Sequence, residues 1–264
     1  MLELARKLKL DKNLIEELEL LDVKKFSLLS EKCLEKDFSV LKKKNDLERL
    51  GVILCCAVEA RKKYAELGIS DEIYYDTMSD IRIWCENNGN KGLKNYGWLK
   101  NHVRLELFRL GRLQFQLYEC KNKTLLYGKL PFSYGEKLIY VHIPQGEKLN
   151  YDECIKSFRT AGEFFKKHFP DYSYKYYFCE SWLLYEGNRD FMKADSNILK
   201  FSSLFSHVYS VKIDEQAIER IFGKRKLFKK YYPEKTSLQK SAKAYMQKGG
   251  KLGVGIGYID KSRL

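Results

Sequence analysis

At Gly111 the spacing of apolar residues changes, and that change constrains the fold more than any other feature. Before it, apolar side chains recur every three to four positions, as on a helix with one buried stripe. After it, Arg112-Leu113-Gln114-Phe115-Gln116-Leu117-Tyr118 alternates polar and apolar, as a half-buried strand does. A chain of 264 residues is also longer than one core usually serves. The reading is an α+β protein: a helical domain over residues 1–110, then an α/β domain over residues 111–264.

The helical part carries its own stop and start signals. Asn45 caps a helix from Asp46 through Leu67, which Gly68 ends, with Leu47, Leu50, Leu54, Ala57, Val58 and Leu67 along its stripe. Ser70 caps a second helix, Asp71 to about Glu86, with acids in its first turn. The cluster Asn87-Asn88-Gly89-Asn90 breaks it, and a further helix is expected from about Trp98 to Leu110. Shorter helical stretches precede Asn45, near Leu14–Leu21 and Lys24–Lys36.

Beyond Gly111 the expected order is β-β-β-α-β-α-β-α-α-β. The strands are Arg112–Tyr118, Thr124–Pro131, Lys137–Ile143, Tyr174–Leu184, Val208–Ile213 and Lys251–Ile259. Asn150 and Glu153 open a long helix before Pro170, and a helical segment is expected over Arg189–Phe205. Asp214 caps a short helix ending at Gly223, and Thr236 with Gln239 makes a capping box. A meander followed by crossovers implies a mixed sheet flanked by helices.

Charge is uneven. Residues 1–110 hold 21 Lys+Arg against 19 Asp+Glu, and the rest hold 28 against 16, for +14 in all. Much of the excess lies between Arg220 and Lys251, which suits either a polyanion or a solvated basic surface. No run approaches the ~18 apolar residues of a membrane span, and Met1 to Asp11 lacks the apolar core of a signal peptide, so a cytoplasmic protein with no membrane partner is expected. Cys33, Cys55, Cys56, Cys85, Cys120, Cys154 and Cys179 form no CxxC pair, and His102, His142, His168 and His207 are scattered. Free thiols and no metal follow.

Several strings, taken in order, carry a family resemblance: Leu110-Gly111-Arg112-Leu113-Gln114-Phe115, Val141-His142-Ile143-Pro144, Cys179-Glu180-Ser181-Trp182-Leu183-Leu184, Asp195-Ser196-Asn197-Ile198-Leu199-Lys200-Phe201 and Thr236-Ser237-Leu238-Gln239. The chain resembles acyltransferase-like bacterial proteins that join a helical N-terminal domain to a GNAT-like (GCN5-related N-acetyltransferase) C-terminal domain. The resemblance implies an acyl-CoA-dependent N-acyltransferase, with acetyl-CoA or another acyl-CoA as cosubstrate and a small-molecule or peptide amine as acceptor. The other reading is a GNAT-fold ligand-binding or interaction protein without chemistry. Nucleic-acid binding rests on the basic segment alone, with no recognisable reading module.

In GNAT enzymes the thioester inserts where the fourth strand splays from the fifth, here Lys137–Ile143 and Tyr174–Leu184. The resemblance then implies a pantetheine contact at the backbone near Ile143 and a pyrophosphate contact in the next loop. That loop reads Pro144-Gln145-Gly146-Glu147-Lys148-Leu149-Asn150, not the glycine-rich family pattern, so Gln145, Gly146 and Lys148 are the candidates. Where many GNAT enzymes place a tyrosine acid, Phe201 stands. Among the catalytic candidates, His142 is a general base or a structural histidine. Glu180 and Ser181 interrupt an apolar strand, so they face a cleft or pair with neighbours to hold the sheet. Arg112, Asp195 and Asn197 are candidate substrate contacts; alternatively Asp195-Ser196-Asn197 caps a helix. The glycines at 249, 250, 253, 255 and 257 suit a tightly packed strand better than a phosphate loop.

Overall fold

The computed structural model describes residues 1–121 and 130–264. The strand expected over Thr124–Pro131 lies largely outside the described residues. Helices come first: α1 (Leu2–Lys7), α2 (Lys12–Glu19), α3 (Val23–Glu35), α4 (Asp46–Glu66), α5 (Asp71–Met78), α6 (Asp80–Asn87) and α7 (Tyr96–Val103). Then follow β1 (Leu107–Leu110), β2 (Leu113–Glu119), β3 (Lys137–His142), α8 (Tyr151–His168), β4 (Tyr176–Ser181), α9 (Asn197–Ser202), β5 (Ser206–Val211), α10 (Glu215–Phe222), α11 (Ser237–Gln247) and β6 (Val254–Asp260).

The strands are hydrogen-bonded in the order β1-β2-β3-β4-β6-β5. The sheet is mixed: β3 runs parallel to β4, whereas β6 is antiparallel to both β4 and β5. The expected class, helices followed by a mixed sheet flanked by helices, is the one found.

The chain separates into two compact units. Met1–Leu117, Ile143–Gly146 and Glu163–Pro170 make the first. Its core includes an aromatic cluster in which Phe108 lies 5.7 Å from Tyr64 and 4.9 Å from Phe164, ring to ring. The capping box at Asn45 is complete, with the Glu48 amide donating to the Asn45 side chain at 2.8 Å. Tyr118–His142, Glu147–Gly162 and Asp171–Leu264 make the second unit. There α8 lays Phe158 edge-on against Tyr177, at 5.2 Å. A separate apolar cluster unites α10 and α11 through Ile218, Ile221, Phe222, Ala242 and Met246.

Two expected helices are corrected. The one expected over Asp71–Glu86 divides at Ser79, whose hydroxyl donates to the Asp76 carbonyl at 2.6 Å; such back-bonding competes with the helical ladder. The division sends Asp80 inward, where one carboxylate oxygen accepts from Trp98 Nε1 at 3.1 Å and meets His102 Nε2 at 2.9 Å. The helix expected over 98–110 ends at Val103, and Leu105 takes φ +58°. The strand β1 follows, so the sheet begins before Gly111. Leu110 pairs with Leu113 across a two-residue turn opened by Gly111 at φ +71°. A II′ hairpin needs glycine at that first position.

Two smaller corrections follow. The segment Arg189–Phe205 is helical only in part, as α9 and a short 3-10 turn over Glu186–Asp190. Asp214 precedes α10 without capping it through its side chain; its carboxylate is taken by Arg225.

The glycines of β6 have packing roles. A Cβ at Gly255 would lie 2.0 Å from the Leu184 carbonyl oxygen, and one at Gly253 would lie 2.2 Å from that of Val211. Backbone cannot yield by that much without moving the sheet. Gly255→Ala is therefore expected to cost about 3 kcal/mol, read as a lower midpoint in chemical denaturation.

Candidate active site

Strand alternation on β3 and β4 sorts the candidates. Tyr140 and His142 share one face of β3, with their ring centroids 4.1 Å apart. On β4, Tyr176, Phe178 and Glu180 point one way, and Tyr177, Cys179 and Ser181 the other. Tyr176 and Phe178 join Cys120, Phe132, Leu138 and Ile256 in an apolar cluster, against which Tyr118, Tyr140 and Tyr258 pack half-buried. Phe178 lies 5.0 Å from Tyr140 and 6.1 Å from Tyr118, ring to ring. Glu180 thus lies on the same face as an aromatic wall.

The ladder between these parallel strands is short. Its registered pairs are Ile139↔Tyr177 and Tyr140↔Phe178. By contrast, β4 is registered with β6 at every residue from Tyr176 to Ser181. His142 and Glu180 lie two residues beyond the last β3–β4 pair, at the end where the ladder has stopped.

Burial raises the pKa of Glu180, and no cation or donor among the described residues offsets it. A carboxylate that is partly desolvated and lacks a counter-charge is more readily explained by chemistry than by stability. Tyr140 is pushed well above the ordinary phenol value by burial, with Cys179, Glu180 and Tyr118 adding to the effect. It therefore stays protonated as a hydrogen-bond donor. Alternation along β3 puts Tyr140 on the face of His142, but its link to Glu180 depends on a register that only strand pairing fixes.

Ser181 is buried on the opposite side of β4, and its hydroxyl accepts from the Leu183 amide at 3.2 Å, capping a 3-10 turn. Asp195 and Asn197 are exposed, and the cap of α9 is Ser196, which accepts from the Leu199 amide at 3.3 Å. Arg112 is buried in the first unit and donates to the Pro144 carbonyl at 3.1 Å. In the same unit Gln145 exchanges two amide hydrogen bonds with Asn87, at 3.1 and 3.3 Å. Gly146 has φ +118°, and Lys148 is exposed just before α8. Ile143 directly follows β3 and is half-buried.

One Ser–His contact is set aside by its geometry. His207 Nε2 lies 2.9 Å from the Ser202 carbonyl and 3.0 Å from its hydroxyl. A nitrogen facing a carbonyl must carry the proton, so it cannot take one from Ser202. All seven cysteines are free and buried.

Residues 1–105 match the family model of an N-acyltransferase N-terminal domain, and residues 107–259 that of a GNAT-like C-terminal domain. The chain belongs to the GNAT-like C-terminal domain family. Among solved structures it is similar to an acyltransferase in complex with decanoyl-CoA, with TM-score 0.81 and 20% identity over 98% of this chain and 86% of that one. Structures of acyltransferase with decanoyl-CoA and teicoplanin, and of a mutant with octanoyl-CoA, each match at TM-score 0.80, with the same identity and coverage. No curated protein matches. At this identity the likeness establishes the GNAT-like acyltransferase fold.

Within the GNAT-like pattern, two local features depart from the family resemblance. The N-terminus of α8, where a glycine-rich loop would present amides to pyrophosphate, is already served by Asn150. Its side-chain oxygen accepts from the amides of Asp152 at 2.9 Å and Glu153 at 3.2 Å. Two acids in that first turn further oppose an anion. Phe201 is fully buried against Phe205, with ring centroids 5.2 Å apart, so the position matched to the family's tyrosine carries no proton donor.

Proposed function

We propose that the protein transfers an acyl group from an acyl-CoA thioester to an amine, with residues 111–264 carrying the chemistry. The observation that supports this most is Glu180, partly desolvated and without a charge partner among the described residues, sharing a sheet face with Tyr140 and His142 where the β3–β4 ladder ends. The amine nitrogen attacks the thioester carbonyl; a C–N bond forms and the C–S bond breaks. Glu180 takes the proton that the amine loses, directly or through a water molecule. Tyr140 donates a hydrogen bond to the departing sulfur, and the thiolate leaves as CoA thiol after gaining a proton from solvent. His142 orients Tyr140 through ring contact. Arg112 holds the strand-exit loop through Pro144, and Asp195 and Asn197, both exposed at the start of α9, stay candidates for contact with the acceptor.

The helix N-terminus of α8 is occupied by Asn150, so we assign the pantetheine contact to the backbone near Ile143 and the pyrophosphate contact to the loop that follows, with Gln145, Gly146 and Lys148 as its candidates. An exposed ammonium on a flexible stem is a weaker and more salt-sensitive holder than a nest of amides. In calorimetric titration, saturable one-site binding of acetyl-CoA or decanoyl-CoA is expected. Lys148→Glu should weaken it about tenfold, which is ~1.4 kcal/mol. No heat and no thermal stabilisation with any acyl-CoA or with free CoA would sink this reading. Buried Phe201 would then favour a scaffold that binds a partner without turnover.

For the acceptor we propose a small-molecule or peptide amine; one structure of similar fold is an acyltransferase in complex with decanoyl-CoA and teicoplanin. We place the protein in the cytoplasm. Seven free thiols fit a reducing compartment, and no helix among the described residues is long and apolar enough to cross a membrane.

A further inference from the structure

We propose that residues 224–231 form a peripheral anchor for an anionic lipid bilayer. This segment, Lys224-Arg225-Lys226-Leu227-Phe228-Lys229-Lys230-Tyr231, lies between α10 and α11 in the second unit. Three of its apolar side chains face solvent: Leu227 at 89% exposure, Phe228 at 54% and Tyr231 at 59%. Large apolar groups clustered in the open signal a contact surface. Here they alternate with Lys224, Lys226, Lys229 and Lys230.

The tip is held in shape from beneath. Arg225 is clamped to Asp214, and its guanidinium lies 3.8 Å from Glu215. Lys229 donates to the Met246 carbonyl at 2.6 Å, tying the tip to α11. Tyr232, buried 4.4 Å from Phe222, accepts from the Lys226 amide at 3.3 Å. The Lys230 ammonium lies over the rings of Phe228 and Tyr231, at 6.0 and 5.1 Å, and those rings meet edge to face at 5.9 Å. Presented this way, the apolar groups lose little freedom on insertion.

Charge selects the occupant. The one acid between residues 224 and 235, Glu234, is taken by Lys243 at 2.7 Å, so the lysines of the tip meet little local compensation. Aliphatic Leu227, the most exposed member, has no face to stack on a nucleobase, whereas leucine and aromatics among lysines suit the boundary between headgroups and acyl chains. Each lysine near an anionic leaflet contributes about a fivefold factor in partitioning. A peripheral contact of this kind needs no spanning helix and is independent of the acyl-transfer reading.

The test uses the full chain with vesicles of phosphatidylcholine alone, or of phosphatidylcholine mixed with phosphatidylglycerol. Because the native thiols are buried, a Leu227→Cys variant takes an environment-sensitive maleimide dye at that site. A blue shift of the dye is expected on phosphatidylglycerol vesicles and not on phosphatidylcholine. In co-sedimentation, Lys224→Gln with Lys230→Gln should lower partitioning about thirtyfold. Leu227→Ser with Phe228→Ser should lower it about tenfold while leaving its salt dependence unchanged. All these positions are exposed, and unchanged melting temperatures would show that the variants fold. The proposal is overturned by equal binding to both vesicle types, by no binding to either, or by sedimentation without a dye shift. Tighter binding to duplex DNA at the same salt would also overturn it and assign the surface to nucleic acid.

Discussion

Replacing Glu180 by glutamine slows amide formation by about 10²–10⁴-fold, the usual contribution of a general base, and at the same time makes the protein harder to unfold. The two effects share one cause. Burial raises the pKa of Glu180, and no partner among the described residues offsets it, so the folded chain holds that proton more tightly than the unfolded chain does. Stability therefore falls as pH rises from the unfolded carboxyl value, near 4.3, through the raised folded value. Glutamine removes that fall. Thermal melting across pH, beside single-turnover rates with a saturating amine, measures both. Acyl-CoA affinity should be unchanged, because the lost step is proton removal from the acceptor. A variant with full activity would remove Glu180 from the chemistry, and a variant that lost stability would show that the carboxylate is paired after all.

Asp80→Ala is expected to cost about 3–5 kcal/mol, as removal of one partner from a buried charged network does. The loss is large because one buried carboxylate oxygen serves both Trp98 and the fully buried His102. Burial pushes the Asp80 carboxyl up, but the donors His102, Gln114 and Trp98 outweigh it and hold the carboxyl below the ordinary value. The sign is opposite to that at Glu180. The contribution of Asp80 is complete above its unfolded value, near 3.9, and is lost as pH falls through the lower folded value. Wild-type protein should thus shed this stability in acid, whereas the melting curve of Asp80→Ala lacks that component. Urea denaturation at pH 7 and at pH 3 would show it as a difference that narrows at the lower pH. Asp80→Asn, which keeps one acceptor, should cost about half as much.

What could be read in advance was mostly local. The cap at Asn45, the capping box at Thr236 and the existence of strands β2 and β3 stand as expected, because each depends on neighbours within a few residues; the polar–apolar alternation of β2 does not carry over to burial, since Gln114 is buried. Where a tertiary partner outbid a local one, the sequence misled. Asp214 stands where a cap should be, yet Arg225, eleven residues on, takes its carboxylate. The leucines at 105, 107 and 110 fit a helical stripe as well as a strand, and only the reversal at Leu105 shows that the helix has ended. At the candidate site, His142 and Glu180 were visible as polar residues in apolar strands. Tyr140 was not, since its relation to Glu180 follows from strand register; Ser181 falls on the opposite face because it directly follows Glu180 in the same strand, where successive side chains alternate.

The place of β6 has a consequence for how this protein is made. It is the last strand in the sequence, yet it lies between β4 and β5 and bonds to both. During synthesis β4 and β5 therefore leave the ribosome with open edges and wait for residues 254–260 to bridge them. Such edges are templates for pairing with other chains, and closure over a separation of more than seventy residues from β4 is slow compared with local helix formation. The glycines at 253, 255 and 257 keep the slot narrow, so few other strands would fit it. The interval before that strand arrives is when a nascent chain is most exposed to misassembly and most in need of a holding chaperone.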